Sequence, residues 1–203
     1  MDVQFVTTTL SADMLEAYYP RGLFPMANPG HQEITWHQPR RRAVIPLLEP
    51  GAFHVSRSLA RTLRQGRFRL SVDEDFPAVM RACAHRPGEG TWIDDRILAA
   101  YGELHRRGKA HSVEIWVNGA LGGGVYGVQL GGAFFAESKF HTVRDMSKVA
   151  LAQLVFRLRE RGFALLEVQY VTDHLEQFGA REITGRQYAR ELAAALALDR
   201  SFV

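Results

Sequence analysis

The chain has 203 residues, 46% of them hydrophobic and 23% charged, enough apolar content for a compact core and too much for global disorder. Its single cysteine, Cys83, excludes an intrachain disulfide and a cysteine framework for zinc, and no apolar run approaches the roughly 20 residues that span a bilayer. The N-terminal stretch has no basic region ahead of an apolar one, so a soluble, cytoplasmic protein with no membrane partner is expected.

The net charge of +3 is unevenly placed. Residues 40–69 hold Arg40, Arg41, Arg42, Arg57, Arg61, Arg64, Arg67 and Arg69 against Glu49 alone, a local +7 that leaves −4 for the remainder. Such a segment is either the footprint of a polyanion or a solvated surface, and charge alone does not choose.

In chain order, Ser11 is a good N-cap for a short helix reaching Tyr19. Six prolines between Pro20 and Pro50 break up the rest of the first 52 residues, with short strands expected at Glu33–Trp36 and Ala43–Leu47. Residues 55–65 have helical spacing: Arg57, Arg61 and Arg64 share one face while Val55, Leu59 and Leu63 share another. A strand over Phe68–Val72 and helices over Asp75–Ala84 and Asp94–Arg107 follow.

A β-meander comes next. His111–Val117 and Ala120–Gln129 flank the tight-turn pair Asn118-Gly119, and Gly131-Gly132 leads into Ala133–Glu137. Met146, Val149, Ala150, Leu154 and Leu158 keep the helical period until Gly162 stops it, and Ala164–Tyr170 reads as a buried strand. The strand–helix–strand from Ala133 to Tyr170 implies a right-handed crossover, and a last helix covers Gln187–Leu196. The pattern is α+β: a small N-terminal lobe over residues 1–52 and a mixed-sheet domain over 53–203.

Gly122-Gly123-Gly124-Val125-Tyr126-Gly127 matches G-x-G-x-x-G formally, but it lies between strands, where no helix N-terminus would meet a phosphate. Glycines here allow a bulge or the close approach of a ligand. The histidines are scattered and make no metal-binding helical pair. Ser138 near His141 lacks a third partner for nucleophilic catalysis, so a surface or capping serine is the simpler reading. Strand alternation puts Glu167 and Gln169 on one face, where a carboxylate beside a carboxamide could orient an amine; a half-exposed polar face is the alternative. Trp36 and Trp92 are either core anchors or stacking surfaces for a base.

Several of these segments fall into one ordered series. Gly22-Leu23-Phe24-Pro25, Trp36 with Pro39 and Arg42, Thr91-Trp92-Ile93, Ala100-Tyr101 with Leu104-His105, and His111-Ser112-Val113-Glu114 with Trp116 come first. Phe134-Phe135-Ala136-Glu137-Ser138, Ser147-Lys148, Gln169 with Thr172, His174 and Leu175, and Gly179-Ala180 complete it. Together they resemble the leucyl/phenylalanyl-tRNA–protein transferase family along nearly the whole chain.

The resemblance implies that the second lobe is a GNAT-like acyltransferase domain. The donor would be aminoacyl-tRNA, met at its 3′ end and acceptor stem, and the acceptor the N-terminal amine of a protein or peptide beginning with Arg or Lys, tagged for degradation. A monomer with no metal and no cofactor is expected. Related possibilities are a sister transferase acting on Asp or Glu N-termini and a non-catalytic RNA-binding relative.

By resemblance, Glu137 holds an α-amino group and Gln169 with Glu167 serves the reaction centre. Trp36 and Trp92 line the aminoacyl-adenosine pocket, with Phe134, Ser138, Lys139 and Thr172 completing the substrate set. Arg57, Arg61, Arg64 and Arg42 contact tRNA. The chain departs from the family pattern at Ala136, where Gly is usual, at Lys139, where Met is usual, and at Glu167, where Asp is usual. Lys139 falls on the wall of the donor side-chain pocket, where its stem can replace methionine while the ammonium reaches solvent or an acid.

Overall fold

A computed structural model describes residues 3–28, 30–85 and 90–203; Pro29, counted among the breaks above, lies outside them. The N-terminal part contains β1 (Val3–Thr7), α1 (Ala12–Tyr18), a 3-10 turn at Tyr19–Arg21, β2 (Phe24–Ala27), β3 (Ile34–His37) and β4 (Arg41–Ile45). Then come α2 (Arg57–Gln65), β5 (Arg69–Val72), α3 (Phe76–Ala84), α4 (Asp95–Arg106), β6 (Ala110–Val117), β7 (Ala120–Leu130) and β8 (Ala133–His141). The chain ends with α5 (Met146–Glu160), β9 (Leu165–Gln169), α6 (Asp173–Glu176), β10 (Arg181–Thr184) and α7 (Gly185–Leu196). None of these helices is long and apolar enough to cross a membrane.

The helices begin where side-chain acceptors stand ready. Ser11 accepts the amide of Met14, Asp75 that of Ala78, and Asp94 those of Arg96 and Ile97. The β6–β7 hairpin turns on Asn118 and Gly119, both at positive φ (51° and 80°), as a tight primed turn requires.

Two sheets form. β1, β3 and β2 make a small antiparallel sheet, and a larger one runs β10-β4-β9-β8-β7-β6-β5, antiparallel except between β8 and β9. That parallel pair is the strand–helix–strand expected around α5. The fold is therefore α+β with a mixed sheet. A lobe boundary after residue 52 does not follow the sheets, because β4 lies inside the larger one, between β9 and β10. Ala43, Val44 and Ile45 are each at most 4% exposed, which explains the placement: this strand is apolar on both faces, as an inner strand must be.

Alternation divides the core. On one face of the large sheet Ile45, Phe134, Ala136 and Leu166 pack with α5, α2 and α6; on the other, Val44, Phe135 and Leu165 pack with α1, α3, α4, α7 and the small sheet. Within the glycine run of β7, Gly123 serves the first of these layers and Gly124 faces Val79 of the second. A Cβ on Gly123 would stand 2.6 Å from that of Met146, so the close approach is by α5 rather than by a ligand. The β7–β8 register shifts between Tyr126 and Gly127, and a Cβ on Gly127 would meet the Phe135 carbonyl at 2.2 Å, so that glycine is what permits the bulge.

Candidate active site

β8 and β9 lie side by side, and both end in polar residues. Glu137 follows the apolar run of β8 onto the face covered by the small sheet, and Gln169 ends β9. Simple alternation fails at Gln169. The β4–β9 ladder shifts register there, with Ala43 opposite Gln169 but Val44 opposite Glu167. Gln169 has φ 57°, and the Tyr170 amide donates to the Val168 carbonyl at 2.7 Å, closing a three-residue turn around it. A non-glycine residue held this way costs on the order of 1–3 kcal/mol, and the turn re-aims the carboxamide away from the direction the pleat would give it.

Glu167 keeps the direction of the pleat and is only 1% exposed. The Arg42 guanidinium sits 2.7 Å from its Oε1, and the Tyr188 hydroxyl donates to its Oε2 at 2.6 Å. Arg42 also donates to the Gly22 carbonyl (2.8 Å) and to the Tyr188 hydroxyl (3.1 Å), and its cationic carbon stands 4.4 Å from the Tyr188 ring centroid. The pair is thus buried; Glu167 Oε2 is hydrogen-bonded, Oε1 has only the ion-pair contact with Arg42, and Arg42 Nε is left without a hydrogen-bond partner. The expectation that Glu167 joins Gln169 in polarising an amine is not met: it lines neither cavity described below and instead ties β9 to β4 and α7.

Glu137 stands in a second buried cluster. The Tyr19 hydroxyl donates to its Oε1 at 2.6 Å and lies 2.5 Å from the Tyr101 hydroxyl. Burial raises the Glu137 pKa most, the Tyr19 hydrogen bond opposes this, the nearby Glu167 charge adds to it, and the result is about 8. Both tyrosines are themselves pushed well above their ordinary range, first by burial and then by the Glu137 charge, so both hydroxyls keep their protons as donors.

Two cavities share Glu137 and Gln169. The first, about 60 Å³, is walled by Val125, Ala136, Leu151, Val168 and Leu175, with Ser138 and Lys139 also lining it. The second, about 120 Å³, is lined by Phe24, Pro25, Met26, Trp92 and Tyr170. Lys139 is half-buried, so its apolar stem takes part in the wall. Its charge joins those of Lys148 and His141 in depressing the His174 pKa, although burial is the main cause there.

The sequence-level site residues therefore divide. Glu137, Gln169, Ser138, Lys139 and Trp92 meet at the two cavities. Trp36 does not: it is fully buried, 5.7 Å from the Phe5 ring and 4.7 Å from that of Tyr18, and donates to Thr7, because β3 is the central strand of the small sheet. Phe134 points to the α5 face, where it stacks on Phe202 at 5.0 Å. Thr172 is exposed and caps α6 by accepting the Leu175 amide. Arg42 is 2% exposed and so is not part of a tRNA-facing surface. Arg57, Arg61 and Arg64 are exposed and form no ion pair among the described residues, while Leu59 anchors α2 to the core. His141 reaches Ser147 (3.1 Å).

Tyr188 belongs to this site although no motif points to it. Its helical spacing with Leu192 and Ala195, both buried, is the one signal in the sequence: a core-facing tyrosine needs a partner for its hydroxyl. No cluster of histidine, cysteine and acidic side chains among the described residues could hold a metal.

A carboxyl and a carboxamide facing a small apolar cavity suit an enzyme that handles an apolar acyl group carrying an amine, and the relatives agree on the class: this is an aminoacyltransferase. The pattern of the leucyl/phenylalanyl-tRNA protein transferase family matches residues 47–193. A leucyl/phenylalanyl-tRNA–protein transferase of Rubrobacter xylanophilus is 52% identical over 95% of this chain and 98% of the relative. Those of Ruegeria sp. and Gloeobacter violaceus are each 48% identical over 96% of this chain, covering 91% and 98% of the relatives. The chain belongs to the leucyl/phenylalanyl-tRNA–protein transferase family. Among solved structures it is similar to L-PGS from Bacillus licheniformis (TM-score 0.43, 10% identity, 84% of this chain and 57% of that one). It is also similar to an aminoglycoside N-acetyltransferase (TM-score 0.35, 14% identity, 66% and 90%).

Proposed function

We propose that the protein moves an apolar aminoacyl group, leucyl, phenylalanyl or methionyl, from tRNA to the N-terminal amine of cytoplasmic proteins beginning with Arg or Lys, marking them for degradation. The observation that carries this reading is the pair of cavities meeting at Glu137 and Gln169. The apolar walls of the first cavity, Val125, Ala136, Leu151, Val168 and Leu175, suit an apolar side chain. The second cavity offers the Trp92 indole as a surface for the terminal adenosine. The exposed arginines of α2 supply cations for the phosphates of the tRNA body. The basic acceptor end is what family membership implies.

In the reaction the acceptor nitrogen bonds to the ester carbonyl carbon, and the carbon–oxygen bond to the ribose breaks. The ribose oxygen leaves with the proton that the amine gives up. Gln169 cannot hold that proton; its carbonyl accepts a hydrogen bond from the amine and points the nitrogen lone pair at the ester. The backbone turn at Gln169 fixes that aim in advance, and well-oriented reactants gain up to about 7–11 kcal/mol. Glu137 keeps its proton at neutral pH while the site is empty; a bound α-ammonium favours the carboxylate and turns the residue into an anchor for the donor.

The test is transfer of labelled Leu or Phe from charged tRNA to peptides beginning with Arg, Lys, Asp or Glu. Transfer to Arg and Lys peptides is the expected result. Transfer to acidic peptides alone would make this a sister transferase, and no transfer would make it an RNA-binding relative. Gln169→Ala is expected to lower transfer by about 100-fold or more while leaving tRNA affinity and Tm close to those of the parent.

A further inference from the structure

A further cavity, of about 880 Å³, has neither Glu137 nor Gln169 in its lining. It lies between β1, the 3-10 turn, the β3–β4 connection and α7, and its size is in the range that holds small ligands. Arg21, Arg40 and Arg42 line it together with the amides of Gln4 and Gln38, and no lining residue is acidic. Pro20, Pro39, Leu192 and Leu196 supply apolar wall. That chemistry suits a phosphate-bearing ligand with flat apolar faces, and it repels a basic protein N-terminus.

Its position is equally specific. Tyr188 and Arg42 are at once part of this cavity and the two groups that bind Glu167. The Arg42 guanidinium stands 5.3 Å from the centroid of Phe24, and Phe24 lines the cavity that carries Trp92 and Gln169. One short run of chain serves both spaces: Pro20 and Arg21 line the large cavity, and Phe24, Pro25 and Met26 the smaller one.

We propose that the large cavity receives the unpaired nucleotides that precede the terminal adenosine of the donor RNA. The exposed Arg21 and Arg40 guanidinium groups take the phosphodiesters, the glutamine amides meet base edges, and the prolines and leucines pack on base faces. The inference rests on the transfer reading above, which places the terminal adenosine beside Trp92.

The experiment compares leucyl-adenosine with a leucyl-trinucleotide carrying the two preceding cytidines as donors to an Arg-initiated peptide. The variants are Ala193→Trp, which fills the cavity from an exposed lining position, and Arg21→Ala/Arg40→Ala, which removes charge from exposed side chains. In the parent protein the trinucleotide is expected to have a KM at least about tenfold below that of leucyl-adenosine, the scale of one or two stacked bases. Both variants should raise the trinucleotide KM towards that of leucyl-adenosine, leave kcat alone, and leave both constants for leucyl-adenosine unchanged. Equal KM values for the two donors in the parent protein would overturn the proposal. So would variants that slow both donors alike, since that is an effect transmitted through Tyr188 rather than a lost subsite. Failure of the transfer reading itself looks different: leucyl-tRNA is then no donor at all, and the cavity loses its assigned occupant with it.

Discussion

Arg42 and the arginines of α2 come from one basic stretch of chain and end in opposite surroundings. Arg42 is sealed between β9 and α7, shared among Glu167, Tyr188 and the Gly22 carbonyl. Arg57, Arg61 and Arg64 stand in solvent on one face of a helix whose other face is held by Leu59. Arg41 and Arg69 are different again, each paired with a surface carboxylate, Glu182 and Glu74. A cluster of like charge in a sequence is therefore not one surface. Its buried member is held by partners that must be broken for it to move, and its exposed members keep their charge for something that arrives from outside.

The comparison is tested most severely at its buried end. Arg42→Ala leaves Glu167 as an uncompensated buried acid, at a cost of about 3–5 kcal/mol, or a fall in Tm of about 6–20 °C for a chain of this size. Thermal melting checks it, and a variant as stable as the parent would show that Arg42 belongs with the surface arginines after all.

Next in size is the pH dependence of the other buried acid. The Glu137 pKa is raised above 4.5 to about 8 by burial, so its protonated form is the one the fold favours. That stabilisation is complete below the ordinary carboxyl value and is lost as pH rises through about 8. Glu137→Gln removes the titration. The variant should match the parent near pH 5 and exceed it by a few kcal/mol at pH 9, since each tenfold preference for the protonated form is worth about 1.4 kcal/mol. Parallel Tm–pH curves for the two proteins would contradict the burial account.

At the exposed end, changing Arg57, Arg61 and Arg64 together to Ala should leave Tm unchanged and weaken tRNA binding. The slope of log affinity against log salt should become shallower by about 2.7, three contacts at about 0.9 each. A binding titration across salt concentrations measures it; an unchanged slope would remove α2 from the RNA surface. The smallest effect is expected at Lys139. Its stem already lines the apolar cavity proposed for the donor side chain, so Lys139→Met should improve kcat/KM for leucyl or phenylalanyl donors by about tenfold or less, the scale of one or two methylenes. A change in which donor is chosen would mean that the cavity is not the donor pocket.

Much of the fold is legible in the sequence because its signals are local. The helical period of Met146–Leu158, the Asn118-Gly119 turn and the caps Ser11, Asp75 and Asp94 each state their own structure. What escapes is set by partners far along the chain. β1 is mostly exposed, β2 contains Pro25, and β10 is four residues long, so none has the alternation that identifies a strand. Within the site, Glu137 and Gln169 are legible from the ordered motifs. The family resemblance points Arg42, Trp36 and Phe134 towards ligands, although burial commits all three to the interior. The turn at Gln169 is not readable either, since nothing in Glu167-Val168-Gln169 announces a positive φ.

The place of β4 has a consequence for how the molecule comes off the ribosome. Residues 41–45 emerge early, yet their neighbours in the sheet are Leu166–Gln169 on one side and Arg181–Thr184 on the other. Synthesis must run past Leu166 before this strand can find either edge, and pairings of such long sequence separation form slowly. Until then an apolar strand with two open edges waits unpaired, the kind of segment that chaperones shield and that aggregates when they do not. The same insertion links distant stretches of the chain: the Arg42 that holds Glu167 can take its seat only after Tyr188 has been made. A chain translated short of Tyr188 therefore lacks the clamp on Glu167, and β9 is not locked to both β4 and α7 until that residue has been made.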